Sequence, residues 1–165
     1  MPRIKANLVS VYVIRNVLQG TINHIELLML QRPADHIYAG DWQAVHGHIQ
    51  LGETAWEAAI REQYEETSLP VKSWLRLAEV ESFYNPENDS LYFVPTFVSV
   101  VDPDIEPVLS DEHQAAVWRP LHQAIPMFSW ETQRSTVELL RKSTTEWPKL
   151  GPALMALDLD SLRQR

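Results

Sequence analysis

Between residues 47 and 69 the chain reads GHIQLGETAWEAAIREQYEETSL, and within it Glu62, Glu65 and Glu66 stand at i, i+3 and i+4. On a helix turning about 100° per residue, this spacing gathers the three carboxylates on one face. Ala55, Ala58 and Ala59 fall among them, while Trp56, Ile60, Gln63 and Tyr64 form the opposite sector, which reads as the packing face. Oxygen-only clusters of this kind suit hard divalent cations, because Mg²⁺ commonly takes one or two carboxylates and completes its shell with water and phosphate oxygens. An ion held this way would bridge the protein to a polyphosphate. Arg61 lies on the same helix between Glu57 and Glu65, within i,i+4 reach of both, and Glu53 at the helix entrance is its alternative partner. It reads as an organiser of the cluster. Gly47 and Gly52 bracket a loop that enters this helix, and glycine there lets backbone approach a ligand closely. A solvated acidic face is the competing interpretation, since exposed like-charge pairs at this spacing cost only a few tenths of a kcal/mol.

Gly47, Glu53, Arg61, Glu62, Glu65 and Glu66 satisfy the spacing G-x5-E-x7-R-E-x2-E-E. This resembles the signature box of the Nudix hydrolases, and six such matches would arise by chance in a chain of this length about once in 100,000. Two positions depart from the family pattern: Gln63 replaces an aliphatic residue, and Ser68 replaces the glycine after the helix. A serine forced into the left-handed conformation there costs about 1 kcal/mol. The resemblance implies an α/β/α sandwich with a mixed β-sheet and a hydrolase that uses Mg²⁺, or Mn²⁺, on phosphoanhydride bonds. It makes Glu62, Glu65 and Glu66 metal ligands, with Glu53 and Arg61 supporting the loop and helix.

The resemblance extends further through LLMLQR (27–32), DWQAVHGHIQLGET (41–54), SDEHQAAVW (110–118) and SWETQRSTVELL (129–140). These runs are similar to the branch of the family that holds dATP pyrophosphohydrolases and dihydroneopterin triphosphate pyrophosphatases. In that branch the glutamate of an E-H pair acts near the metals, which implies Glu112 as general base or additional ligand, with Glu62 as the alternative base. The expected reaction is cleavage of a nucleoside triphosphate-like substrate, dATP or a pterin triphosphate, to a monophosphate and pyrophosphate. A sugar nucleotide or dinucleoside polyphosphate is the alternative substrate. A non-hydrolytic nucleotide sensor is the rival from another class, disfavoured because every box carboxylate is present.

Arg32 ends an apolar run just before Pro33, where a cation could meet phosphate oxygens. Trp42 is the aromatic singled out for substrate contact, from a set with Tyr38, Phe83, Tyr84, Phe128 and Trp130 that could stack on a purine or pterin ring. Gly47 completes the expected substrate contacts. His46 and His48 flank it in the loop and read as structural or solvated, not as metal ligands.

These residues need a scaffold. Runs rich in Val, Ile, Leu and Tyr predict strands over residues 5–14 and 24–31, joined as a hairpin through a polar segment with Asn16 and Gly20. Further strands are expected over 42–45, 73–84, 91–101 and 115–118, with a turn at 85–89, and helices over 54–67, 131–142 and, more weakly, 152–162. At 165 residues with 45% hydrophobic content, the chain supports one core. The expected organisation is a catalytic domain over residues 1–145 and an extension over 146–165, a short helix packed on the domain or at a homodimer contact.

The absence of cysteine removes thiol nucleophiles, disulfides and cysteine-held metals. A net charge of −8 argues against binding a nucleic acid polymer or an anionic membrane and leaves a small nucleotide or pterin triphosphate as partner. Ten of the 22 acids lie in the segments 53–66 and 102–112, which reads as local charge that recruits cations. Residues 8–14 are too short for a membrane span and lack a cleavage site, so a cytoplasmic location is expected.

Overall fold

A computed structural model describes residues 1–19, 22–35 and 37–164. Among the described residues, nine strands form one mixed sheet: β1 (Arg3–Lys5), β2 (Leu8–Gln19), β3 (Ile22–Gln31), β4 (Trp42–Gln43), β5 (Val45–His48), β6 (Val71–Asn85), β7 (Ser90–Val101), β8 (Ala115–Pro120) and β9 (Leu154–Ala156). The helices are α1 (Ala55–Thr67), α2 (Leu121–Ala124), α3 (Glu131–Ser143) and α4 (Leu159–Arg163), with a 3-10 turn at Ile125–Met127. The central path runs β4-β3-β2-β7-β6-β9, with β1 beside β7, β5 beside β2 and β8 beside β3. β2 and β7 are parallel, whereas β2 with β3 and β6 with β7 are antiparallel.

The period-2 alternation of β2 explains the three layers. Val9, Val11 and Val13 face the α1 side with Ala58, Ala59, Leu28, Phe97 and Trp118, while Tyr12 and Ile14 face the α3 side with Leu27, Val98, Val137 and Leu140. Because both faces of the central strands are buried, they read as continuous apolar runs. The resulting architecture is the expected α/β/α sandwich.

The site depends on a local splay. β2 pairs with β3 through residues 14–19, but its first half, residues 8–11, pairs with β5. β4 meanwhile pairs with the last two residues of β3, so residues 42–48 fill the gap where β2 and β3 part. The strand expected over 42–45 is therefore two short strands, and His46, Gly47 and His48 are strand residues instead of loop residues. The polar segment after Ile14 is also strand, continuing to Gln19; Gly20, assigned to the connecting turn, lies outside the described residues.

The C-terminal segment differs from the expected single helix. β9 pairs with β6, Leu154 enters the α3-side core, and Leu157 together with Leu159, the first residue of the five-residue α4, packs on the α1-side core. Local apolar periodicity gave way to tertiary pairing, since without β9 this part of β6 would present an open sheet edge. No helix among the described residues is long and apolar enough to cross a membrane.

Candidate active site

α1 begins with a capping box: Thr54 accepts from the Glu57 amide, and the Glu57 carboxylate accepts from the Thr54 amide at 2.9 Å. Glu57 is thereby occupied at the helix entrance, and Arg61 turns to its alternative partner. Its Nε and Nη2 donate to the two oxygens of Glu53 at 2.9 and 2.8 Å, and Nη2 also donates to the His48 carbonyl. Nη1 lies 2.8 Å from Glu62 Oε1 and 3.0 Å from Glu65 Oε2. This guanidinium ties the helix entrance, β5 and two of the three clustered glutamates together. The bond to Arg61 holds the Glu53 carboxyl below its usual range, and bonding first to Glu53 and then to Glu62 and Glu65 raises the affinity of Arg61 for its proton.

The buried face of α1 is broader than the one read from side-chain bulk: Gln63 is buried and Trp56 and Ile60 pack on the α1-side core as expected, but the alanines and two of the glutamates turn inward as well. Ala58, Ala59, Glu62, Gln63, Glu66 and Thr67 are buried, whereas Tyr64 is 64% exposed. Alanine lets the helix axis approach the sheet, and the approach carries the glutamates inward. Gly47 completes the fit: a Cβ there would stand 1.9 Å from Glu62 Cδ, so a larger residue would displace the Glu62 carboxylate from its place. Glu62 Oε1 in turn accepts from the His48 amide at 3.1 Å. Gly52 is required for a different reason, a positive φ of 85° with nothing crowding it. Ser68 adopts the left-handed C-cap at φ 53°, and its amide donates to the Tyr64 carbonyl at 2.8 Å, so the helix ends as it would with glycine.

Residues 102–114 cross the C-terminal end of α1. The Val108 amide donates to the Thr67 carbonyl and the Ser110 amide to the Glu66 carbonyl, and Gln114 continues onto the end of β3 through the Gln31 carbonyl. Two acids expected to recruit cations are engaged instead in anchoring this strap: Asp102 pairs with Lys72, and Glu106 accepts from Arg15 and from Trp118 Nε1. The strap brings the exposed Glu112 to the end of α1, close enough for its charge to act on Glu66. It also brings His113, which the sequence reading passed over although it follows Glu112 in the E-H pair. His113 Nε2 lies 2.6 Å from Glu66 Oε2 in a fully buried contact.

Glu66 is the most perturbed carboxyl of the cluster. Burial pushes it up to about 9, opposed by His46 and reinforced by the charges of Glu112 and Glu62. Burial likewise drives His113 down to about 4, with Glu112 opposing and Arg32 adding to the shift. Arg32 is thus near this pair at the end of β3, where its Nε donates to Gln43 Oε1 at 2.7 Å. Trp42 is half-buried against the α3-side core. Among the wider aromatic set, Phe128 is fully buried, whereas Tyr38 and Trp130 are exposed and meet edge to face at 5.2 Å. A depression of about 470 Å³ along α3 is lined by Glu131, Arg134, Glu138 and Lys142, but these charges are paired with one another along the helix.

A divalent ion fits this chemistry. Glu66 Oε1 is buried with no hydrogen-bond partner, and a cation would both satisfy that oxygen and offset the repulsion from Glu62 and Glu112. Among the described residues no three acidic or histidine side chains are already drawn into a metal cage, because Glu62 and Glu65 are turned to Arg61.

The NUDIX domain model matches residues 7–140. The chain belongs to the NUDIX family. It is similar to the rat bis(5'-nucleosyl)-tetraphosphatase [asymmetrical], with 34% identity over 119 residues, covering 69% of this chain and 77% of the rat protein. A solved Caenorhabditis elegans Ap4A hydrolase binary complex superposes with a TM-score of 0.67 at 23% identity, over 84% of this chain and 96% of that one. The Escherichia coli dihydroneopterin triphosphate pyrophosphohydrolase gives a TM-score of 0.60 at 23% identity, over 81% and 96%. The chain is accordingly a Nudix pyrophosphohydrolase acting on phosphoanhydride bonds, in a family that generally uses divalent metal ions.

Proposed function

We propose that this Nudix enzyme hydrolyses a nucleoside polyphosphate with Mg²⁺ or Mn²⁺, and that its substrate class is the dinucleoside polyphosphates ahead of the nucleoside or pterin triphosphates expected from sequence. The observation that carries the site is Glu66, a buried carboxylate on α1 with one oxygen bonded to His113 and the other unpartnered. The order of substrates follows the rat tetraphosphatase, whose similarity spans more than two thirds of both chains. The pterin triphosphate enzyme is similar below 25% identity, which speaks for fold alone.

In this reading Glu66, Glu62 and Glu65 would hold the cation, and Glu112 would serve as additional ligand or as the base that takes a proton from water. When bound, the cation would neutralise polyphosphate charge and make the attacking water more acidic. Glu53 and Arg61 keep the loop and helix in register. Arg32 offers a cation to phosphate oxygens from the end of β3, and Gly47 keeps the backbone of β5 close to the cluster. Trp42 lies on the core side of the same splay and supports it, while the exposed Tyr38 and Trp130 are better placed to meet a base.

A panel of diadenosine tetraphosphate, dATP, a pterin triphosphate and a sugar nucleotide, with products separated and identified, tests the proposal. Diadenosine tetraphosphate should give the highest kcat/KM and release ATP and AMP only when Mg²⁺ or Mn²⁺ is present. Metal-independent turnover would overturn the mechanism, and a preference for a triphosphate releasing pyrophosphate would restore the earlier substrate order.

A further inference from the structure

His113 has no part in the reaction as described, yet its surroundings are specific. Its side chain is 1% exposed against 2% for Glu66, and the two meet at 2.6 Å. Two atoms of the pair are buried without a partner: Glu66 Oε1 and His113 Nδ1. The second settles the tautomer that faces an ionised Glu66. An imidazolium, or the Nδ1–H tautomer, would bury an N–H without an acceptor, at a cost of about 1–3 kcal/mol. With the proton on Nε2, Nδ1 presents only a lone pair and Nε2–H donates to Glu66 Oε2. The strap grips the same residue a second time through the Ser110 amide and the Glu66 carbonyl. Backbone and side chain of Glu66 are therefore both fixed from residues 110–113. The hydrogen bond occupies Oε2 and leaves Oε1 as the oxygen open to another partner.

We infer that His113 is a positioning residue that holds Glu66 so that a single oxygen, Oε1, is presented to the divalent cation. This rests on the reading of Glu66 as a metal ligand. A neutral imidazole donating to a ligating carboxylate fixes the carboxylate's rotamer, and its loss leaves Glu66 free to turn or to take both oxygens to the ion. Glu112, one residue earlier, stays exposed, so neighbouring residues of one turn divide between reaching the site and holding it.

The test is Mn²⁺ binding to the full chain without nucleotide, by calorimetry or by the free-ion electron paramagnetic resonance signal. His113→Phe should weaken Mn²⁺ binding by about 10- to 100-fold, the usual range for losing such a support. His113→Gln, whose amide N–H replaces Nε2–H, should stay within about threefold of the parent, while His113→Asn, with a shorter reach, should resemble the Phe variant. Under saturating Mn²⁺ the Phe variant should lose kcat with little change in KM. A folded Phe variant that binds Mn²⁺ like the parent would overturn the inference. If it does not fold, the amide pair decides, and equal affinities of the Gln and Asn variants would overturn it. Glu66→Gln separates the two levels: if it too binds Mn²⁺ like the parent, the ligand reading fails, whereas weak binding there beside parent-like His113→Phe defeats only the role of His113.

Discussion

Glu66 and Glu81 are both buried glutamates, one on the α1 side of the sheet and one on the α3 side, and neither is within salt-bridge distance of an arginine or lysine among the described residues. Their oxygens are treated differently. Glu81 Oε2 accepts from Ser10 Oγ at 2.9 Å and Oε1 accepts from the Tyr12 hydroxyl, with His46 Nε2 at 4.0 Å, so each oxygen is occupied by a fixed donor. Burial, and then the charge of Glu81, raise the Tyr12 phenol well above its ordinary value and keep it a donor. Glu66 has one donor and one open oxygen. A fold can close the bonding of a buried carboxylate completely, as it does around Glu81. On the proposed reading, the partner of the open oxygen of Glu66 is a cation from outside the chain.

Replacing each glutamate should therefore give opposite results. Glu66→Gln should lower kcat by about 10³-fold or more, because it removes a proposed ligand of the ion the reaction depends on, while the Tm of the chelator-treated protein rises or holds at pH 8. Glu81→Leu should do the reverse: with two buried hydroxyls robbed of their acceptor at about 1–3 kcal/mol, Tm should fall by several degrees, and kcat should change less than about tenfold. Steady-state kinetics and thermal melts check both. The contrast collapses if Glu81→Leu abolishes turnover in a folded protein, or if Glu66→Gln retains it.

Much of this contrast was legible in sequence on one side only. Helical spacing alone groups Glu62, Glu65 and Glu66, and the apolar run from Leu8 to Ile14 marks β2 as a strand. Side-chain bulk found Gln63, Trp56 and Ile60 on the inward side of α1 but missed that Ala58, Ala59, Glu62 and Glu66 are buried too, because the small side chains and Gly47 let the helix come close to the sheet. Glu81 gives no local sign, since its acceptor role depends on Ser10 and Tyr12, 71 and 69 residues away. His113 could have been found in the E-H pair, but its contact with Glu66 spans 47 residues and depends on the path of the strap. β9 was missed because the open edge it covers exists only in three dimensions.

The two glycines sharpen the account of why α1 sits so close. Gly47→Ala places a methyl group in the space of the Glu62 carboxyl, so either Glu62 or the helix must shift. Misplacement of catalytic groups by about 1 Å costs on the order of 10²-fold, and a kcat loss of that size is expected. Gly52→Ala meets no neighbour but inherits a φ of 85°. It should destabilise by about 1–2 kcal/mol through backbone strain alone, leaving kcat of the folded enzyme close to the parent. Equal kinetic damage from both substitutions would show that the loop conformation matters and the Gly47 contact does not.

The smallest effect is a pH dependence that carries the mark of the open carboxylate. Glu66 is raised to about 9 in the fold from an ordinary 4.5, so between those values the native state keeps a proton that the unfolded chain has released, and stability falls as pH rises. His113 is lowered to about 4 from 6.5, so over that lower window the unfolded chain holds the extra proton and stability rises with pH. From pH 4.5 to 6.5 the two slopes oppose each other, and from 6.5 to 9 only the Glu66 slope remains. The Tm of chelator-treated protein should therefore decline by several degrees across pH 6.5–9 relative to the Glu66→Gln variant, which lacks the titrating group. Mg²⁺ should flatten the decline, because a cation can take the place of the proton at the open oxygen. Glu81, with both oxygens occupied by hydroxyls, predicts no matching dependence on Mg²⁺: melts of Glu81→Leu with and without the ion should differ by as much as those of the parent. A parent Tm that tracks the Glu66→Gln variant across this window would mean that Glu66 is already ionised and compensated within the fold, and the distinction between the two carboxylates would be lost.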